Sequence, residues 1–108
     1  LNKILITAPA RRDIERLLVK SRRSFGETAE DRYRSLVLRA LTAVRDDPYG
    51  PNTRPMALAR PGIRSLHLRS LPSAVSKPRH RLTYIVDAQT VIVLRVLHDR
   101  MDFRAALR

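Results

Sequence analysis

Arginine is the residue type in this chain best placed to do chemistry. Arg69, Arg81 and Arg95 each fall within a segment that reads as a β-strand. Period-two alternation puts all three on one sheet face, with His67 beside them. Arg95 stands out because it interrupts V-I-V-L-R-V-L, the most apolar run of the sequence. An unpaired guanidinium in a core costs several kcal/mol, so Arg95 must face an open side or hold a paired site. Three guanidinium forks on one surface read an anion, because the planar fork binds phosphate or carboxylate bidentately. The same residues equally fit solvated strand arginines, or arginines that receive an acidic partner helix. His98 ends the last strand and is followed by Arg100. A histidine there has the chemistry of a general acid or base for RNA cleavage. With no acid partner or tyrosine evident beside it, it reads instead as a structural histidine bonded to the adjoining loop.

Other chemistries are thinly supported. The chain has no cysteine, and its three histidines are scattered away from helical ligand spacing, so neither a metal nor a cofactor is expected. There is no nucleophile elbow or phosphate-cradling glycine loop.

The elements that must position these residues follow from hydropathy and turn signals. Residues 3–7 read as a strand, and Ala8-Pro9 opens a helix with Ile14, Leu17, Leu18 and Phe25 on one face. Gly26 stops that helix, and Thr28 reads as the N-cap of the next. Tyr33, Leu36, Val37, Ala40, Leu41 and Val44 form its apolar stripe, and Asp46-Asp47-Pro48 ends it. Residues 48–62 carry four prolines and read as an irregular loop. Three strands follow at residues 63–71, 80–87 and 90–98, with a tight turn at Asp87-Ala88-Gln89 and a final helical turn within residues 99–108. Leu66/Leu68, Leu82/Tyr84/Val86 and Ile92/Leu94/Val96 are expected to face the helices. The fold class is α+β in the order β-α-α-β-β-β. A helical hairpin covers one face of a small, mainly antiparallel sheet, the other face is open, and residues 1–108 make one domain.

Charge bounds the partners. Twenty-two lysines and arginines stand against 10 acids, a formal +12, which implies a polyanionic partner: nucleic acid or an acidic protein. No apolar run is long enough to span a membrane and no signal-peptide pattern is present, so a bacterial cytoplasmic location is expected.

The segments G-E-T-A-E-D-R-Y-R-S-L, D-D-P-Y-G-P, P-G-I-R-S-L and V-L-R-V-L-H-D-R-M-D resemble ParE-type toxins of the RelE/ParE superfamily, and the element order matches over essentially the whole chain. The resemblance implies a type II toxin–antitoxin toxin that acts on DNA gyrase and is neutralised by a ParD-like antitoxin. Target contacts are then expected at Arg69, Arg81, Arg95, His98 and Arg100, with nucleic acid met through the gyrase–DNA complex, and such a toxin is not itself an enzyme. The antitoxin segment is expected to be acidic and to dock along exposed apolar positions of the hairpin and sheet edge. The alternative is a RelE-like, ribosome-dependent mRNA endoribonuclease. There the resemblance implies catalytic roles for Arg81 and His98, but this chain lacks a C-terminal tyrosine and most of the lysines of that branch. A third possibility is a non-toxic basic module that binds nucleic acid generally.

Overall fold

The computed structural model describes residues 2–56 and 60–108. Strand β1 (Lys3–Ile6) leads into helix α1 (Ala8–Phe25), then α2 (Glu27–Asp46), β2 (Thr53–Pro55), β3 (Arg64–His67), β4 (His80–Asp87), β5 (Thr90–His98) and the short helix α3 (Phe103–Ala106). The five strands form one sheet in the order β1-β5-β4-β3-β2. Strand β1 runs parallel to β5, and every other pairing is antiparallel.

Local chemistry accounts for the element boundaries. Thr7 caps α1 by accepting the Ala10 N–H, and Pro9 sits in the first turn, where its missing donor costs nothing. Gly26, at φ 92°, ends α1 and also serves as the N-terminal cap residue of α2, with no side-chain cap. The expected capping role of Thr28 is thereby corrected, since Thr28 lies inside α2. The apolar stripe of α2 is as expected: Leu36, Val37, Ala40 and Val44 are buried against the sheet.

Three features of the sheet depart from expectation. Residues 48–62 were expected to be irregular, yet Thr53–Pro55 forms an edge strand, a position that tolerates the proline. Residues 57–59 of that stretch lie outside the described residues. Strand β3 is shorter than expected and passes at Leu68–Ser70 into a 3-10 turn. Strand β5 carries a bulge: Thr83 faces Arg95 while Tyr84 faces Val93, which skips Leu94. The helix-facing residues of β5 are therefore Val91, Val93 and Val96, not Ile92, Leu94 and Val96.

The core lies between the hairpin and one sheet face, where Leu66, Leu82, Tyr84, Val91 and Val93 meet Leu36 and Val44. The opposite face is not fully open. Its Ile63, Leu97, Ile85 and Leu94 form a second, smaller cluster under Phe103, Ala106 and Leu107 of the C-terminal segment. Tyr84 is fully buried, and its hydroxyl donates to the Pro48 carbonyl, pinning the chain just after α2. Pro48 O also accepts from Arg64 Nε, so Tyr84→Phe should cost only about 1 kcal/mol in chemical denaturation.

Candidate functional site

The face of the sheet away from the hairpin carries Ser65 and His67 on β3 beside Thr83 and Arg81 on β4, paired as Ser65 with Thr83 and His67 with Arg81. Arg54 on β2 pairs with Ser65 from the other side. Arg81 leans diagonally across β3, and its Nη1 donates to Ser65 Oγ at 2.9 Å. Burial acts most strongly to lower the Arg81 pKa. Asp99 opposes that effect, and the neighbouring cations Arg54 and Arg69 add to it. A guanidinium stays charged through such a shift, so Arg81 is a partly desolvated cation whose nearby charges are mostly of its own sign. That is an anion-binding environment.

His67 organises the edge of this cluster. Its Nδ1 accepts the Arg69 N–H at 3.0 Å, which places the ring proton on Nε2, and Nε2 donates to Asp99 Oδ1 at 2.9 Å. With both nitrogens committed, His67 positions the Arg69 backbone and the Asp99 carboxylate. Arg81, Arg69 and the neighbouring His67 are brought together as expected. Arg54 and Asp99 join them unanticipated. Asp99 lay in plain view beside His98, but nothing in the spacing tied it to His67, and Arg54 was hidden in the proline-rich segment.

Two expected members are placed elsewhere. Arg95 does not share the Arg81 face. At the bulge its side chain reaches α1, where Nε and Nη2 donate to the two oxygens of Asp13 at 2.7 and 2.9 Å. The same carboxylate accepts the Val96 N–H at 3.0 Å. Strand β1 pairs with β5 only as far as Val93, so Asp13 satisfies a donor of β5 beyond that strand's reach. Arg95 is thus the paired alternative that its apolar setting required.

His98 lies on the hairpin side of the sheet. It is the cross-strand partner of His80, with ring centroids 5.1 Å apart, and its Nδ1 accepts the Arg100 N–H at 3.1 Å. The loop after β5 thus holds the His98 ring through the Arg100 N–H, and Arg100 itself is exposed in that turn. His80 in turn has its Nδ1 2.9 Å from the Tyr33 hydroxyl of α2. Burial pushes the His80 pKa down to about 4, with His98 and Lys20 also lowering it and Asp99 opposing. Arg81 and His98 are therefore on opposite faces. Among the described residues no group of three or more His, Cys, Asp or Glu side chains is placed to hold a metal ion.

Solved structures share this architecture. The chain is similar to a copper-bound point mutant of a toxin from Helicobacter pylori, with a TM-score of 0.62 and 18% identity over 91% of this chain and 94% of that one. It is similar also to the RelBE2 toxin–antitoxin complex from Mycobacterium tuberculosis, with a TM-score of 0.60 and 22% identity over 90% and 96%. These likenesses show that the chain shares its fold with those two proteins. No curated protein matches the chain. The sequence profile described as "ParE toxin of type II toxin-antitoxin system, parDE" matches residues 4–103, and the chain belongs to the ParE toxin family. Among the described residues, no helix is long and apolar enough to cross a membrane.

Proposed function

We propose that this type II toxin acts in the bacterial cytoplasm by binding DNA gyrase, and is held inactive by a ParD-like antitoxin. The observation that carries the reading is the separation of Arg81 from His98. A nuclease that used Arg81 to hold a phosphate and His98 to move a proton would need both at one phosphodiester, and the sheet stands between them. What remains on the Arg81 side is a binding surface, with Arg81, Arg69 and Arg54 as cations and His67 fixed. This supports a toxin that grips its target without cutting RNA.

The antitoxin is an acidic segment, matched to the formal +12 charge. Exposed Leu38 on α2 and Leu5 on the edge strand β1 give an amphipathic segment its apolar footholds.

The test is plasmid supercoiling by purified gyrase in the presence of antitoxin-free toxin. Inhibition with trapped cleaved DNA is expected, and an Arg69→Ala/Arg81→Ala variant should require at least ten-fold more protein for the same effect. Two such contacts at roughly 1 kcal/mol or more each correspond to that factor or greater. No inhibition at large molar excess would remove gyrase as the target. Codon-phased cuts in translated mRNA would establish the ribosomal nuclease in its place.

A further inference from the structure

The outward face of α1 carries a charge array that the fold does not use. Arg12, Arg16, Lys20 and Arg23 are all exposed and succeed one another at intervals of four, four and three residues. At 3.6 residues per turn they fall within an arc of about 80° and rise by about 6, 6 and 4.5 Å, so they form one straight file along the helix. Four other arginines are matched to carboxylates: Arg22 to Glu27, Arg34 to Glu30, Arg45 to Asp46 and Arg95 to Asp13. Among the described residues no member of the file has such a partner. The acid nearest in sequence to Arg12, Asp13, is turned inward to Arg95, which leaves Glu15 as the lone carboxylate beside the file. Like charges one turn apart repel, so the isolated helix gains nothing from this arrangement.

We propose that this file is a docking rail for the phosphate backbone of double-stranded DNA. The interval between its cations is close to that between successive phosphates along one strand, and three of the four are guanidiniums, whose forks bind phosphate bidentately. An acidic protein helix is the poorer fit. Such a helix docks through an apolar stripe, and the file offers one exposed valine, Val19. The inference rests on α1 alone and stands whether or not gyrase is the target.

The test is fluorescence anisotropy of a labelled duplex of arbitrary sequence, titrated with antitoxin-free toxin across a salt series. Four phosphate contacts contribute a slope of about −3.6 in log K against log salt, a loss of about 150-fold between 50 and 200 mM. An Arg12→Gln/Arg16→Gln/Lys20→Gln/Arg23→Gln variant should flatten the slope by about that amount. A charge-matched variant with Arg32, Arg79, Arg104 and Arg108, all exposed and outside both surfaces, changed to Gln should keep it, with circular dichroism confirming that both remain helical. An unchanged slope in the α1 variant, or the greater loss in the charge-matched one, overturns the proposal. So does an α1 variant that loses binding to poly-glutamate while its binding to the duplex persists.

Discussion

Changing Arg95 to alanine is expected to destabilise the protein by about 3–5 kcal/mol, the largest effect of any single polar substitution proposed for it. The Asp13 side chain is only 5% exposed, and its carboxylate accepts three N–H donors, two from Arg95 and one from the backbone of Val96. Removing the guanidinium leaves a buried negative charge with one neutral donor. Asp13→Ala should cost somewhat less, because the Arg95 side chain is 26% exposed and can turn to water. The double variant should fall well short of the sum of the two, since each single change strands the other partner. Arg95→Lys should recover little, because an ammonium cannot reproduce the two-pronged contact. Urea denaturation of the four proteins decides the matter: additive single and double variants would mean that the pair is not coupled.

The second expectation concerns acid. His80 has its pKa lowered from the ordinary 6.5 to about 4, burial being the main cause. The unfolded chain therefore binds a proton more readily than the folded one between those two values. Stability is at its full value above pH 6.5, falls as pH drops toward 4, and loses nothing further from this group below that. A full shift of this size is worth about 3 kcal/mol, and partial solvent screening brings the expected loss to about 2 kcal/mol. A His80→Gln variant should lack this component. The difference in unfolding free energy between the parent and the variant, followed from pH 7.5 to pH 4, should therefore shrink by that amount. A difference that stays constant would show that His80 titrates alike in both states. The Tyr33 hydroxyl, whose own pKa is raised chiefly by burial, is bonded to the His80 ring, so Tyr33→Phe should narrow the same window.

The contrast between Arg95 and Arg81 shows what could be read from the sequence. Both were picked out as strand arginines, and both are. Alternation then placed them together, and the bulge at Leu94 undid the inference. A run such as V-I-V-L-R-V-L has a single polar position, Arg95, and no polar alternation to reveal its phase, so nothing in it marks where one residue is skipped. Strand β4 kept its phase because Arg81, Thr83 and Ile85 alternate with Leu82, Tyr84 and Val86. The α2 stripe was legible for a related reason: six apolar residues over three turns leave one helical phase. Contacts between residues distant in the chain were out of reach. Asp13 is 82 residues from Arg95 and Asp99 is 32 from His67, and no local pattern links either pair. Strand β2 was missed because four prolines within residues 48–62 argue for a loop, while an edge strand accepts one of them at no cost to the ladder.

The single residue between α1 and α2 has a mechanical consequence. Gly26 closes one helix and opens the next, so the hairpin has no slack, and the two helices are set in phase like gears on a common shaft. One residue inserted there would turn the Leu36, Val37, Ala40 and Val44 face by about 100° away from the sheet. Any side chain at Gly26 would also be strained at φ 92°, although open space surrounds the position. The register between the helices is thus set by length at the tip of the hairpin, while packing holds it at the base. A partner that grips either helix thereby grips both.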